Sequence, residues 1–380
     1  MGDVVEIIDG DRGANYPGNG ELLSSGHSIF LNTKNVSGTK FDFTSNVQFI
    51  SLEKDNSLGK GRLKRGDFVL TTRGTIGNFA QYGENIPYDH VRINSGMVIL
   101  RPIKDVIDAS FFDLFLSGQV FKKQITSLQS GSAQPQLPIR DLQQFELILP
   151  PIKEQTEISN LLLPFDEKIE SNNRIIKTLE EMAQAIFKEW FVNFRFPGYE
   201  KSEFTDSPLG RIPKGWEIKN LGEVVELAYG KALKEEVRTP GTVVVVGSSG
   251  VVGAHNQKLV SGPGIVVGRK GVAGSVIWID TDFYPIDTTF YVKTDLPLTF
   301  CFYMLRQLGF LSGDSAVPGL SREDAYRYQT IIPTEGLLTE FHGIVESLFQ
   351  KRYKLDTENQ KLAAMRDLLL PRLMSGELQV

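Results

Sequence analysis

Planar side chains able to form two hydrogen bonds at once stand repeatedly beside glycines in this 380-residue chain. In the first half, Asp11-Arg12-Gly13-Ala14-Asn15-Tyr16 offers Arg12, Asn15 and the ring of Tyr16. Arg73 precedes Gly74, and Gln134 and Gln136 belong to Ser130-Gly131-Ser132-Ala133-Gln134-Pro135-Gln136. In the second half, Ser248 and Ser249 lie between Gly247 and Gly250, His255 precedes Asn256, Arg269-Lys270 precedes Gly271, and Ser315 echoes Ser132. Arginine suits the acceptor pair of guanine and Asn or Gln the donor and acceptor of adenine. Adjacent glycines let main chain approach a phosphate closely. The chemistry on offer is recognition of base edges, with an ordinary structural turn as the alternative at each position.

Catalytic chemistry finds no footing. The sequence has no Asn-Pro-Pro or Asp-Pro-Pro followed by an aromatic and no GxxxxGK[ST] phosphate loop. Its four histidines, His27, His90, His255 and His342, are scattered. Cys301 stands alone, which excludes an internal disulfide and a cysteine-based zinc site and makes the reducing cytoplasm the expected compartment. Glu217-Ile218-Lys219 has a nuclease-like spacing but no upstream Pro-Asp partner. Catalytic residues and metal ligands are therefore expected to be absent.

A hydrophobic content of 41% supports ordinary cores, and 380 residues suggest two or three domains. A net charge of −5 argues against binding through a uniformly basic surface. Local basic clusters remain, at Lys60, Arg62, Lys64, Arg65 and Arg73 and again at Lys258, Arg269 and Lys270, although a solvated face would explain either one. Met1 is followed by neither a basic leader nor an apolar core, and no run approaches the roughly 18 apolar residues that span a bilayer. No membrane association is expected.

Two stretches reveal the plan of the elements that must position these residues. Gly2 to Ile8 reads GDVVEII, and Gly222 to Ala228 reads GEVVELA. From Pro135 and Pro318 onward the echo keeps an offset of 183 through Leu137 and Leu320, Asp141 and Asp324, Pro150 and Pro333, Lys168 and Lys351, and Met182 and Met365. GDFVLTTRGTIG at 66 to 77 lines up more loosely with GIVVGRKGVAG at 264 to 274. The chain is two divergent copies of one unit.

Each copy begins with short β-branched and aromatic runs cut by glycine turns and ends in a stretch of helical periodicity, about 152–192 and 335–369. The first helix carries Ile169, Asn172, Ile176, Leu179, Ala183, Ile186 and Trp190 at alternating steps of three and four. The second carries Leu348, Leu355, Leu362 and Leu369 seven apart, with Asn359 between, and is expected to stop at Pro371. These are coiled-coil seams with polar register positions at Asn172 and Asn359, the alternative being that each helix packs on its own domain. Pro164 predicts a kink or break. Residues 165–191 would then span roughly 40 Å, comparable with the ~34 Å turn of DNA.

The expected fold is α+β: two sheet-containing domains in tandem pseudo-repeat, each followed by a long helix, the two helices forming an antiparallel coiled coil. The expected boundaries are 1–150, 151–195, 196–333 and 334–380.

The residues also carry a family likeness. Leu149-Pro150-Pro151-Ile152-Lys153-Glu154-Gln155, Asp166-Glu167-Lys168-Ile169-Glu170 and the run from Leu179 to Phe191 resemble the central helical region of type I restriction-modification specificity subunits. Leu368 to Leu378 resembles their C-terminal region, and Pro208 to Leu221 their entry into the second target-recognition domain. The resemblance implies that each sheet domain reads one half of a bipartite site in double-stranded DNA. It implies that the helices set the unread spacer and dock two methyltransferase subunits, with restriction/translocase subunits joining for cleavage. It also implies no catalysis and no cofactor in this chain, S-adenosylmethionine, ATP and magnesium belonging to the partners. The other reading is a coiled-coil interaction scaffold without sequence-specific DNA binding.

Two departures matter. The first copy starts at the equivalent of Leu221 and is expected to lack an opening strand, as a late start codon or a truncated gene would explain. Ile332-Pro333-Thr334-Glu335-Gly336 also departs from the LPPxxEQ pattern, which leaves open how similarly the helices begin.

Overall fold

The computed structural model describes residues 1–128, 136–310 and 319–380. The chain forms two compact units, residues 1–171 with 358–380, and residues 172–357.

In the first unit the strands are β1 (Val5–Asp9), β2 (Ser28–Leu31), the short hairpin β3 (Val36–Ser37) and β4 (Lys40–Phe41), β5 (Phe49–Ile50), β6 (Phe68–Thr71), β7 (Phe79–Gln81), β8 (Val91–Ile93) and β9 (Met97–Pro102). The helices are α1 (Leu52–Ser57), α2 (Ala109–Ser117), α3 (Gln119–Leu128), α4 (Ile139–Gln143) and the first part of α5 (Ile152–Phe187). One sheet has the order β1-β9-β6-β7. The other has the order β5-β2-β8, with β2 parallel to β8.

Alternation along the central strands assigns each side chain a layer. Phe68 and Leu70 of β6 and Val98 and Leu100 of β9 face the helices. Val69, Met97 and Ile99 face the smaller sheet and meet Ile29, Leu31, Val91 and Ile93. Both faces are covered, which is why these strands read as continuous apolar runs.

The second unit opens with the hairpin β10 (Phe204–Ser207) and β11 (Gly210–Pro213), then β12 (Glu217–Asn220) and α6 (Leu221–Val224). Its sheets are built from β13 (Glu226–Tyr229), β14 (Val243–Gly247), β15 (Gly250–His255), β16 (Gly264–Gly268), β17 (Val276–Ile279), β18 (Phe283–Pro285) and β19 (Thr289–Lys293). Helices α7 (Leu298–Leu308) and α8 (Arg322–Tyr326), strand β20 (Gln329–Ile332) and helix α9 (Glu335–Met374) follow. The orders are β13-β19-β16-β17 and β15-β14-β18, again with β14 parallel to β18. Strand for strand this is the topology of the first unit.

The twin heptapeptides now have a physical meaning. They lead into β1 and β13, each paired antiparallel with the last strand of its larger sheet. Glu6 lies opposite Arg101 and Glu226 opposite Lys293, each forming the same cross-strand ion pair, at 3.5 and 2.9 Å. What the two copies preserve is one strand with its outward charge and inward aliphatics.

Helices α5 and α9 begin at equivalent positions, Ile152 and Glu335, so the departure at Ile332 to Gly336 does not shift the start. The anchoring differs. Gln155 is buried, its amide donating to the Val106 and Pro150 carbonyls and accepting from the Asp108 amide, whereas Leu338 fills the equivalent place in an apolar core.

Within the first unit, Arg366 pairs with Asp166 and Lys168 lies 3.9 Å from Glu358. Within the second, Arg352 lies 3.8 Å from Glu180, and Phe187 packs 6.0 Å from Phe341. In each unit the two helical segments run antiparallel. Asn172, Leu179 and Ala183 are buried on α5, and Ile169, Ile176, Ile186 and Trp190 are half-buried. On α9, Leu348, Leu355, Leu362 and Leu369 are half-buried and Asn359 is buried. From residue 341 to 370 of α9 the buried positions are Phe341, Val345, Phe349, Asn359, Arg366 and Leu370, so the leucine line lies beside the buried face rather than at its centre.

Neither proline ends its helix, so the expected stop at Pro371 is corrected and no break occurs at Pro164. Helix α5 runs through Pro164 and α9 through Pro371 to Met374. Pro164 is exposed and so is Asn160, four residues earlier, so water can reach the carbonyl that loses its partner. Beyond Pro371, burial of Leu373 and Met374 in the core of the first unit holds the last turn.

Asp113 on α2 faces Asp166 and Arg366 in the first unit. Burial, then repulsion from Asp166, pushes its carboxyl up to about 6, with Arg366 opposing. The folded state therefore keeps a proton that the unfolded chain releases near 3.8, so stability falls as pH rises from about 4 to 6. Asp113→Asn should remove up to about 3 kcal/mol of that slope, leaving the protein more stable than the parent at pH 7 and similar at pH 4. Urea unfolding at both pH values checks this, and an unchanged slope would contradict it.

Candidate nucleic-acid interface

In the first unit, the ends of β1, β2 and β6 and the turn between β8 and β9 bring four loops to one rim. The Asp11 carboxylate accepts from the Gly13 and Gly59 amides at 2.9 and 2.8 Å, and these bonds hold it below the usual carboxylate range. The Asn15 amide donates to the Ser57 carbonyl at 3.0 Å, and Tyr16 packs edge-on against Phe30. Arg12 is exposed and reaches the Asp9 carboxylate at 3.1 Å and the Ser95 carbonyl at 3.5 Å. Arg73 forms a β-bridge with Gln136, and both side chains are exposed. Gln134 lies outside the described residues.

The second unit builds the same rim from the ends of β13, β14, β16 and β18 and the start of β19. Lys270 bridges Gly319, as Arg73 bridges Gln136. The Arg269 carbonyl accepts from Leu320 N–H at 2.8 Å, as the Thr72 carbonyl does from Leu137 N–H at 3.0 Å. Gly74 and Gly77 have φ of +71° and +92°, and Gly271 and Gly274 have +78° and +79°, so both turns need glycine at the same two places. The structural counterpart of Arg73 is therefore Lys270, and that of Arg269 is Thr72. Arg269 is half-buried, donates to the Asp287 carbonyl at 3.2 Å and lies 5.0 Å from the Tyr229 ring.

Among the described residues no group of three or more His, Cys, Asp or Glu side chains could hold a metal ion. Cys301 is buried in a helix, where desolvation pushes its thiol up to about 12, far from a thiolate at neutral pH. What the rims share is a doubled, glycine-turned platform carrying exposed cations.

The family model for the type I restriction modification DNA specificity domain matches residues 1–181 and again 213–364. The chain belongs to that family. Its members are the non-catalytic specificity subunits of type I restriction-modification systems. They have no catalytic cofactor of their own and act on DNA in complexes with other subunits. The scaffold reading is set aside by this membership. Similar proteins include the type I restriction enzyme MjaIX specificity subunit of Methanocaldococcus jannaschii, 25% identical over 83% of this chain and 78% of that one. The HindI specificity subunit of Haemophilus influenzae is 23% identical over the full length of both. The crystal structure of an S subunit from M. genitalium shares the fold, with a TM-score of 0.53 at 17% identity over 98% of this chain and 94% of that one.

As parts of a specificity subunit, the residues singled out from sequence fall into different settings. Ser249, Asn256 and Lys270 are exposed, as are Arg12, Asn15, Arg73 and Gln136. Ser248 is buried, its carbonyl accepting from the Ser275 hydroxyl at 2.7 Å. His255 is buried too, its Nδ1 accepting from Thr239 N–H at 3.0 Å with the ring edge-on to Tyr284, so both serve the turns first. Ser315 lies outside the described residues.

The basic clusters thin out in the structure. Arg62 is committed to Asp55, Arg65 to Asp89 and Lys258 to Asp282, while Lys60, Lys64, Arg73 and Lys270 stay exposed. Sequence reading missed Tyr229 and Arg322. The Arg322 guanidinium also lies 5.0 Å from the exposed Tyr229 ring, so two cations flank one aromatic. An exposed tyrosine ending a strand next to Gly230 was the available signal.

No helix among the described residues is long and apolar enough to cross a membrane.

Proposed function

We propose that residues 1–150 and 196–333 are two target-recognition domains, each reading one half of a bipartite site in duplex DNA through the rim described above. The duplication of the rim carries this reading, because two copies of one platform suit two short blocks of sequence. Exposed Arg12, Arg73, Gln136, Asn256 and Lys270 supply the donors for base edges and phosphates, with Arg269 and Arg322 braced by Tyr229.

The helical regions 151–195 and 334–380 set the unread spacer and dock two methyltransferase subunits, to which restriction/translocase subunits add cleavage. S-adenosylmethionine, ATP and magnesium belong to those partners. Because the seam residues Ile169 to Trp190 and Leu348 to Leu369 are buried or half-buried, docking falls to exposed apolar residues such as Leu161, Ile175, Met182, Ile344 and Met365.

Arg269→Ala in the assembled complex should weaken discrimination at one half-site only, by about 1–3 kcal/mol, and Lys270→Ala should act at the same half. Binding to duplexes altered in one block or the other measures this. Equal loss at both blocks, or none, would refute the assignment.

A further inference from the structure

The turn between β16 and β17 and the turn between β6 and β7 are held in the same way. Gly268 N–H donates to the Ser275 carbonyl and Gly274 N–H to the Gly268 carbonyl, both at 2.8 Å. In the first unit Thr71 N–H donates to the Asn78 carbonyl and Gly77 N–H to the Thr71 carbonyl, at 2.8 and 3.0 Å. Each turn also rests on the loop after the parallel-paired strand. A Cβ on Gly271 would lie 3.2 Å from Ser248 Oγ, and one on Gly74 would lie 3.6 Å from Thr33 Oγ1. A main chain fixed at both flanks presents its outermost side chain at a defined place.

Between its two positive-φ glycines each turn carries two residues. The second, Ala273 or Ile76, packs against the core of its unit, and the first, Val272 or Thr75, is exposed beside Lys270 or Arg73. The outward place is thus polar in one copy and aliphatic in the other. Val272 is 53% exposed, and Val251, next to Gly250 at the tip of the β14–β15 hairpin, is 60% exposed. Aliphatic surface held out into water, away from the core, gains free energy when a ligand covers it.

Base edges offer one apolar group to such a surface, the 5-methyl of thymine, which lies in the major groove and which cytosine lacks. Resting on the reading of the rims as DNA readers, we propose that Val272 is a specificity-determining residue that packs on the 5-methyl group of a thymine in the block read by the second domain. Lys270, in the same turn, supplies the charge that draws the turn against the duplex. Thr75 holds the equivalent place with a hydroxyl able to bond a polar base edge, so the thymine requirement belongs to the second block.

The test uses the assembled complex and duplexes carrying its site, with each thymine of the two blocks replaced singly by uracil. Uracil keeps the base pair and removes only the methyl. One replacement, in the block whose recognition Lys270→Ala weakens, should reduce binding about fourfold, the worth of one buried methyl. Val272→Ala should bind the thymine and uracil duplexes equally at that position while still rejecting changed base pairs elsewhere in the block.

No loss from any uracil replacement would overturn the proposal. So would sensitivity that persists at every sensitive position in Val272→Ala, because another residue would then read the methyl. Changed base pairs that weaken binding in neither block would overturn the reading of the rims themselves, a failure distinct from either of these.

Discussion

Removing residues 170–176 from α5 together with 355–361 from α9 should shorten the unread spacer by about three base pairs while leaving both half-site sequences intact. Seven residues are ~10.5 Å of helix, and DNA rises ~34 Å per turn of 10 to 10.5 base pairs. A deletion of seven keeps the heptad phase. The two segments lie in sequence between the residues of two ion pairs, Asp166 with Arg366 and Glu180 with Arg352, so both pairs survive. Buried Asn172 and Asn359 leave together, and the exposed Lys168–Glu358 and Lys40–Glu170 contacts that are lost are worth at most about 1 kcal/mol each. Methylated or bound sites of the shortened variant report the spacer. An unchanged spacer would separate the helices from any role in measuring distance.

Asp55→Ala should destabilise the first unit by about 3–5 kcal/mol. Asp55 and Arg92 are 1% and 4% exposed, and the Asp55 carboxylate accepts from both Arg92 and Arg62. Arg92 also donates to the carbonyls of Lys60, Asp55 and Leu58 at 2.6, 2.7 and 3.1 Å, so this one side chain ties α1 and the loop that follows it to β8. Losing the carboxylate leaves a guanidinium buried without its counter-ion. Because that loop carries Gly59, to which Asp11 is bonded, discrimination at the first half-site should suffer as well. Urea unfolding gives the energy, and a loss below about 1 kcal/mol would show that the pair is dispensable.

The repeat, the helices and their inward faces were legible because each is written in local sequence at a fixed spacing. Leu179 and Ala183 could be assigned to a seam from periodicity alone. Strand order was not legible, since the parallel pairing of β2 with β8 joins residues some sixty apart and leaves no periodic trace. Proline misled for a related reason. Whether its ring breaks a helix depends on solvent at Asn160 or burial at Leu373, which are properties of the fold.

At the rim, Arg73 and Arg269 invited pairing by residue type, but the positive-φ glycines and the bridges to Gln136 and Gly319 align Arg73 with Lys270. The loose register between the copies in this stretch hid a shift of one residue. Arg322 escaped notice because only the fold brings α8 over the end of β13.

The most direct test of two domains reading two blocks is a genome-wide map of methylated adenines in the source strain, with and without this gene. The account predicts that one split motif, two short blocks around a fixed unread spacer, loses methylation when the gene is deleted. Methylation unchanged at every motif would contradict it.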